Sequence, residues 1–582
     1  MNPSTAQANV MVDEFLRCGI TDAVVSPGSR STPLAIALAE AEARGELVLH
    51  VRLDERTAGY FAIGLAKVTG VPAIVVTTSG TAAVNLHPAV VEAQQSGVPL
   101  IAVTADRPPQ LRGVGANQTI RQSTVFGDSV HLAIDMATAV EELGAVRYWR
   151  STVARVVAAS TDAARPGPVH LNVPFAEPLV PDASEEWIES LDGRPDGRPW
   201  TADARLVAGM STPLDDVLDA LLDDAKVPAR GVVIVGDHDD PEAIELVDEL
   251  SDALGWPVIA EPSGNGAGCT TALSHGPLLL ADGAFADAHV PEIAITLGRV
   301  GLNRSLLRMI ARAGLHLAID SHPEWSDPTR TADVVVASVP LAPTEALVDD
   351  SWLESWQRAD VLAAAAVETA LHSGDDALTG MHVARITANA VPDGGLLFLG
   401  ASWSVRHVGS FAANTVQEAV IMGNRGTSGI DGCLSTAWSC AIALQRNGGA
   451  GVLALMGDQT FLYDSNGLLA PAEEERPDLV IVVTDNDGGG IFSSLEQGAP
   501  EHAGVFERVF GVPLGIDLRA LCESGGIPAV VATHADQLTA AIDDAVGIGG
   551  VRVVIAQTVP REREAEILVN IQRAVGEALG SA

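Results

Sequence analysis

Nine short apolar runs, rich in Val and Ile and each ending in Gly, Ser, Asp or Asn, punctuate the chain: "DAVVSPGSR", "AIVVTTSG", "PLIAVTADRP", "GVVIVGD", "EIAITLG", "LHLAID", "GLLFLGAS", "GVLALMGD" and "LVIVVTDND". Their apolar residues are consecutive rather than alternating, so each suits a strand covered on both faces, the habit of parallel sheets. Helical patterns such as "TPLAIALAEAEARG" and "TAGYFAIGLAKVTG" fall between several of them. Strand alternating with helix predicts an α/β protein of doubly wound parallel sheets. A chain of 582 residues, 47% hydrophobic, has the length of three or four domains and enough apolar material for several cores. Residues 176–203 are dense in Pro, Gly and Asp, and residues 340–378 mix prolines, acidic residues and an Ala-rich helix, so both read as linkers. Three α/β units of similar size remain, at 1–182, 203–345 and 379–582, with no internal repeat at residue level.

Charge removes whole classes of function. A net charge of −40 excludes a nucleic-acid partner, which needs a basic face, and no basic membrane-surface helix is present. Only Lys67 and Lys226 are lysines, so Schiff-base chemistry has two candidates, and neither follows the glycine pattern of a phosphate-binding P-loop. Cys18, Cys269, Cys433, Cys440 and Cys522 are scattered, with no C-x-x-C pair, and read as reduced packing residues of a cytoplasmic protein. The N-terminus lacks a basic and then apolar leader pattern, and no uncharged apolar run reaches membrane-spanning length. A soluble, unsecreted chain is the expectation.

Open parallel sheets bind ligands outside the carboxyl ends of their strands, so the polar and glycine-rich run ends are where chemistry belongs. Asp458 ends one run and Asn486 the next, with a helix expected at about 464–475 between them. Strands joined that way usually sit close, which lets both side-chain oxygens converge at one sheet edge. An Asp, an Asn amide oxygen and the Gly488 carbonyl leave an octahedral Mg²⁺ room for diphosphate oxygens. Gly488, Gly489 and Gly490 admit close backbone approach. A Gly-Asp pair after a strand can equally cap a turn, and Asp485 and Asp487 compete as ligands. The spacing resembles the Gly-Asp-Gly … Asn motif of thiamine-diphosphate enzymes, with Gln459 at the third position. Such chemistry needs a carboxyl group hydrogen-bonded to N1′ of the cofactor's pyrimidine, in a poorly solvated pocket that raises its pKa. Glu55, between an apolar run and an amphipathic helix, occupies that setting; its alternative role is an acid favouring a helix N-terminus.

Across nearly the whole chain the runs "SPGSRSTPLA", "LDERTAGYFAIGLAK", "TSGTA", "TADRPP", "GANQTIRQ", "NVPFAEPL", "NRGTSGIDG" and "NDGGGIF" resemble one family. It is the 2-succinyl-5-enolpyruvyl-6-hydroxy-3-cyclohexene-1-carboxylate synthase family, thiamine-diphosphate enzymes of the menaquinone pathway. In that family the residue after Gly-Asp is not usually glycine, which accommodates Gln459. The resemblance implies the thiamine-diphosphate-binding fold, with a pyrimidine-binding first domain, a central domain and a diphosphate-binding last domain. It implies a transferase that decarboxylates 2-oxoglutarate and adds the resulting succinyl carbanion to isochorismate in a Stetter-like conjugate addition. Thiamine diphosphate with Mg²⁺ or Mn²⁺ is the implied cofactor set. A homodimer or homotetramer is implied, with sites between subunits, Glu55 of one chain meeting the metal site of another. Both substrates are dicarboxylates, which an acidic chain must meet with local bidentate cations. The positions matching the family's substrate residues are Ser29, Arg30, Arg107, Asn117, Gln118, Arg304, Ser402, Arg406 and Arg425. Ser402 and Arg406 are four apart, on one face of a helix opening there. Ser428, Gly429 and Ile430 match cofactor contacts, Ile430 as an apolar wedge, and Ile491 and Phe492 match walls of the site. For each arginine a surface ion pair, and for each apolar residue core packing, is the alternative.

Three competing readings share some of these features. An acetolactate-forming synthase would keep Glu55 and Asp458 without the arginine set. A dinucleotide-binding oxidoreductase would use "GNGAGC" at 264–269, which lacks the strand-to-helix setting of a phosphate loop. A binding or regulatory protein with this fold would have no need of Glu55 together with metal ligands.

Overall fold

The computed structural model describes all residues except 183, 185, 202–212, 223–226, 239, 323–324, 344–346, 373–376, 413–418 and 581–582. The expected domain limits at 203 and 345, and Lys226, lie outside the described residues. The chain forms two compact units. The first comprises Met1–Val207, Asn424–Gly448 and Leu462–Pro477; the second comprises Ala208–Gly423, Gly449–Phe461 and Asp478–Ala582.

The first unit holds one six-stranded parallel sheet. Its strands are β1 (Asp22–Val25), β2 (Val48–Val51), β3 (Ala73–Thr77), β4 (Leu100–Asp106), β5 (Leu132–Asp135) and β6 (Pro168–Pro174), in the order β2-β1-β3-β4-β6-β5. β3, β4 and β6 are buried at every residue, which is why their sequences do not alternate. The two helical patterns appear as Thr32–Ala43 and Glu55–Thr69. Helix Glu55–Thr69 packs against helix Cys433–Arg446 so tightly that a Cβ on Gly64 would sit 2.4 Å from the Thr436 carbonyl oxygen. Only glycine permits that approach. The Thr436 hydroxyl, held 3.2 Å from the Tyr60 carbonyl, fixes the pairing. The Pro-rich 176–203 segment is packed in its described residues: the Glu189 carboxylate accepts from Gly144 N and Val146 N, at the start of helix Ala145–Ser160.

The second unit holds two further parallel sheets. One contains β7 (Gly231–Val235), β8 (Val258–Ala260), β9 (Ile293–Leu297), β10 (Leu315–Ile319) and β11 (Val334–Val336), ordered β11-β10-β9-β7-β8. The other contains β12 (Leu396–Leu399), β13 (Val420–Met422), β14 (Val452–Gly457), β15 (Leu479–Asp485), β16 (Ala529–Ala532) and β17 (Val551–Gln557), ordered β13-β12-β14-β15-β17-β16. The 340–378 segment carries helix Asp350–His372, whose Trp352, Trp356, Ala359, Ala363 and Val367 join the core of the five-stranded sheet. Three sheets of doubly wound topology agree with the α/β expectation, and the first and third share one strand order although no residue-level repeat exists.

One sequence expectation fails and one is met. The stretch 464–475 is not a helix. A six-residue helix, Asp458–Tyr463, begins at the aspartate itself, and a 3₁₀ turn, Ser465–Leu468, follows before the chain runs irregularly to β15. Pro471 removes an amide donor and biases Ala470 away from helical backbone, and Glu473, Glu474 and Glu475 add like charges, so helix propensity there is overruled. The "GNGAGC" run forms two 3₁₀ turns, Pro262–Gly264 and Gly266–Gly268, not a strand-to-helix phosphate loop. In the same sheet the ends of β7 and β9 are bridged, Asp237 N donating to Arg299 O at 2.9 Å and Arg299 N to Asp237 O at 2.8 Å. The dinucleotide reading therefore has no cradle.

Candidate functional site

A doubly wound sheet opens a crevice where its strand order reverses, at the carboxyl ends of the two strands flanking the first connection. In the first unit those strands are β1 and β3. The loop after β1 carries Ser29 and Arg30, the loop after β3 carries Ser79, and the neighbouring β4 ends in Asp106, with Arg107 next to it. Arg30 N donates to the Thr78 hydroxyl at 3.2 Å and its guanidinium to the Phe175 carbonyl at 3.0 Å. The Arg107 guanidinium donates to the Ser79 hydroxyl and, at 2.9 Å, to the Gln118 carbonyl. Gln118 Nε2 returns a bond to the Ser79 carbonyl at 2.9 Å. Burial, and behind it the Arg107 charge, holds the Arg30 pKa below its ordinary value. The two guanidiniums are kept near each other at a strand edge, and that of Arg30 also lies 3.7 Å from the Glu177 carboxylate. Ser29, Asn117 and Gln118 are exposed beside them, and Gln118 has a φ of 55°.

What holds this loop is a polar network that the sequence did not disclose. Gln122, 1% exposed, accepts from Gly80 N at 2.9 Å and donates to Ala105 O and to Asn172 Oδ1, each at 2.9 Å. Asn172 donates to Asp106 and Asp135, and Arg112 neutralises both carboxylates while its Nε donates to the Arg107 carbonyl at 3.0 Å. A buried network of this kind is costly unless complete, and every amide atom of Gln122 and Asn172 has a partner. Gln122 lies within the quoted "GANQTIRQ" run, but a buried polar residue in a loop has no periodicity to announce it.

Glu55 opens helix Glu55–Thr69 directly after β2. Asp54 caps that helix, accepting from Arg56 N at 2.9 Å, and its other carboxylate oxygen takes Asn466 Nδ2 at 2.9 Å. A cap of this type contributes about 1 kcal/mol. With Asp54 doing the capping, Glu55 faces a cavity of about 460 Å³ lined also by Asn85, Asn466 and Leu469. Glu55 is half-buried. Elsewhere in this unit Glu92 accepts from Gly426 N at 2.8 Å and from Thr427 N and its hydroxyl at 2.7 Å, which sets the loop bearing Arg425, Ser428, Gly429 and Ile430. Ser428 has a φ of 56° and its hydroxyl points to the Arg425 carbonyl at 3.4 Å.

In the second unit the corresponding crevice lies between β12 and β14, with β15 beside it. Gly457 of β14 pairs with Thr484 of β15, so Asp458 and Asn486 leave adjacent strands at neighbouring levels. Asp458 Oδ2 accepts from Gly488 N at 2.7 Å and Oδ1 from Gln459 N at 2.6 Å. Burial, and then the nearby Asp485 and Asp487, push the Asp458 carboxyl up to about 6 against those two bonds. Asn486 Oδ1 is shut off from solvent and has no hydrogen-bond partner. An orphaned amide oxygen beside a desolvated carboxylate is costly alone and suits a hard divalent cation. The Gly488 carbonyl accepts from Gly490 N at 2.9 Å and keeps a second lone pair for such an ion. Gly488 has a φ of 140°, a backbone that other residues resist. Asp487 is engaged otherwise, its carboxylate accepting from Leu514 N at 3.1 Å and Gly515 N at 3.0 Å, and Asp485 accepts from Asp487 N at 3.3 Å. Each aspartate thus has one carboxylate oxygen engaged, whereas Asn486 Oδ1 has no partner.

Next to it, Arg304, Arg406 and Ile491 line one cavity of about 1530 Å³, together with Trp403 and His407. Ser402 caps helix Trp403–Phe411 at φ 72° and ψ −126°, and Arg406 reaches back to its carbonyl at 2.7 Å. Serine in that backbone region costs about 1–3 kcal/mol, and such strain clusters at functional sites. Phe492 packs on Phe510 with ring centroids 5.9 Å apart. Trp403 was missed; the signal available was a tryptophan directly after Ser402 in a chain only 4% aromatic. The structure thus gathers Ser29, Arg30, Arg107, Asn117 and Gln118 in the first unit. In the second it gathers Asp458, Asn486 and Gly488, with Arg304, Arg406 and Ile491 around the large cavity. Among the described residues no group of three His, Cys, Asp or Glu side chains could hold a metal, and no helix is long and apolar enough to cross a membrane.

Residues 6–125 match the thiamine pyrophosphate enzyme N-terminal TPP binding domain, and residues 408–556 match the corresponding C-terminal TPP binding domain. Three similar proteins carry the name 2-succinyl-5-enolpyruvyl-6-hydroxy-3-cyclohexene-1-carboxylate synthase. That of Thermobifida fusca is 45% identical, with 100% of both chains covered. That of Saccharopolyspora erythraea is 43% identical over 95% of this chain and 96% of its own. That of Nocardia farcinica is 41% identical over 98% of this chain and 100% of its own.

Proposed function

From the premise that the chain belongs to the 2-succinyl-5-enolpyruvyl-6-hydroxy-3-cyclohexene-1-carboxylate synthase family, we propose that it joins 2-oxoglutarate, with loss of CO2, to isochorismate in menaquinone biosynthesis. The observation that carries the site assignment is the partnerless Asn486 Oδ1 beside the buried Asp458 at the ends of two adjacent strands. Asp458, Asn486 and the Gly488 carbonyl would hold Mg²⁺ or Mn²⁺, and through it the diphosphate, while Gly489 and Gly490, where a Cβ would lie 2.4 Å from the Phe510 carbonyl oxygen and 2.7 Å from Asn486 Nδ2, let the loop pack closely beside those ligands. Thiamine diphosphate, when bound, supplies an acidic carbon that adds to a 2-oxo acid and accepts the electron pair released with CO2. Glu55 would hold a proton at N1′ of the pyrimidine from the cavity it lines with Asn85, Asn466 and Leu469. Ser428, Gly429, Ile430, Ile491 and Phe492 shape the cofactor's surroundings, Ile430 as the wedge.

The arginines do the substrate binding. Arg30 and Arg107, held by Phe175, Ser79 and Gln118, offer forked donors to one carboxylate, and Arg304 and Arg406 offer them to another. Ser29, Asn117, Gln118, Ser402 and Arg425 complete the polar set. These local cations overcome the repulsion that an acidic protein exerts on dianionic substrates. A cytoplasmic homodimer or homotetramer with sites shared between subunits belongs to the same reading.

The test mixes purified protein, thiamine diphosphate, Mg²⁺, 2-oxoglutarate and isochorismate and follows isochorismate absorbance with parallel CO2 release. Isochorismate loss is expected only when 2-oxoglutarate is present. Loss that continues undiminished without it would sink the assignment.

A further inference from the structure

Trp403 occupies the first position of helix Trp403–Phe411, directly after the strained Ser402, and lines the cavity that also receives Arg304, Arg406 and Ile491. Its indole lies nearly parallel to the His407 imidazole, 4.8 Å between centroids at 15°. His407 is 3% exposed and cannot swing away, being packed against Phe411, with ring centroids 6.0 Å apart, and against Glu564, 3.7 Å from its Nε2. Burial pushes the His407 pKa down to about 3, so the ring beneath the indole is neutral and does not compete with Arg406 for an anion. Arg406 is tied to the Ser402 carbonyl across the same turn, which fixes guanidinium and indole relative to each other.

The other edge of Trp403 meets the candidate metal loop. A Cβ built on Gly490 would lie 3.6 Å from Trp403 Cδ1 and 2.7 Å from Asn486 Nδ2. A ligand resting on the indole is therefore beside both the arginine cavity and the carboxyl end of β15. An indole next to guanidiniums suits an unsaturated ring bearing carboxylates: cations take the carboxylates and the aromatic surface takes the ring face. A linear 2-oxo diacid has the carboxylates but no ring face, so it gains nothing from Trp403.

We propose that Trp403 binds the ring of the acceptor substrate and thereby distinguishes the cyclic dicarboxylate from the linear one that uses the same kind of cation. The inference rests on the proposed function and adds to it the residue that sets acceptor specificity. The strained Ser402 and the buried His407 act through Trp403, one by aiming it and the other by supporting it.

The experiment compares wild type, Trp403→Leu and Trp403→Phe as holoenzymes with thiamine diphosphate and Mg²⁺, measuring KM for each substrate and CO2 release from 2-oxoglutarate alone. The leucine variant should raise the isochorismate KM about tenfold, as expected for loss of one ring-on-ring contact, while the 2-oxoglutarate KM and the CO2 release stay within about twofold. The phenylalanine variant, which keeps an aromatic face, should recover most of the difference. An unchanged isochorismate KM, or a parallel rise in both KM values, overturns the proposal. Should the leucine variant lose CO2 release as well, the phenylalanine variant decides: a rise confined to isochorismate supports the assignment and a parallel or absent change refutes it. A wild-type enzyme that leaves isochorismate untouched refutes the underlying function and this inference together, whereas an active wild type with unselective variants refutes only this inference.

Discussion

Replacing Glu564 by Gln should stabilise the protein, increasingly so as pH rises. Glu564 is 5% exposed on helix Arg561–Gly580, with Oε2 accepting from Gly380 N at 3.3 Å and Oε1 3.7 Å from His407 Nε2. The approach has the geometry of an ion pair but not its charges. Burial pushes the carboxyl up from 4.5 to about 7, against the Gly380 hydrogen bond, and pushes His407 down to about 3. Between those values both groups are uncharged. The native state therefore holds its proton more tightly than the unfolded chain, and stability falls as pH climbs through the window from 4.5 to about 7. A shift of that size is worth roughly 3 kcal/mol once the window has been crossed, at about 1.4 kcal/mol per pH unit. Gln is neutral throughout, keeps an acceptor for Gly380 N and can offer an amide hydrogen to the partnerless His407 Nε2. The stability difference between variant and wild type should thus grow by about 2–3 kcal/mol between pH 5 and pH 8, on the order of 4 °C in the melting midpoint for a unit of this size. Thermal unfolding of both proteins at one scan rate across that range measures it. A difference that stays flat, or wild type gaining on the variant as pH rises, would show a true ion pair and refute the reasoning.

Two further substitutions address the candidate site directly. Glu55→Gln keeps the shape but not the titratable proton, so thiamine diphosphate binding by calorimetry should persist while turnover falls by about a hundredfold or more; undiminished turnover would remove Glu55 from its role. Asn486→Leu supplies no oxygen, so magnesium-dependent cofactor affinity should weaken about tenfold or more, whereas Asn486→Asp should retain it and removal of Mg²⁺ by EDTA should mimic the leucine variant; equal affinity for all three proteins would separate Asn486 from the metal.

The parts of the site that were legible in sequence lie at strand ends. Asp458 and Asn486 close consecutive apolar runs, and a parallel sheet leaves such residues at one edge whatever the intervening chain does. That is why the two lie at neighbouring levels of one sheet edge although the helix expected at 464–475 did not form. Local propensity had suggested that helix, and Pro471 with three successive glutamates overruled it. Gln122 and Asn172 were hidden for a different reason. Their partners are 17 to 68 residues away, and such distant bonds leave no periodic trace in sequence. Trp403 offered only its place beside Ser402 as a signal, since its meaning comes from the ring of His407 beneath it and from Gly490 on another loop. The likeness of the first and third sheets appears only in strand order, because the same topology is satisfied by any sequence with the right burial pattern.

The rung between Asp237 and Arg299 gives the middle sheet a different fate from its neighbours. In all three sheets the strand order reverses beside the first strand, but here Gly236 and Gly298 let two backbones close to where a Cβ would lie 2.2 Å and 2.4 Å from the opposing carbonyl oxygen. The gap that would admit a nucleotide is laced shut by main chain alone, and no side-chain exchange can unlace it. Admitting a guest there would require lengthening a loop, so repurposing this domain is a task for insertions rather than point mutations.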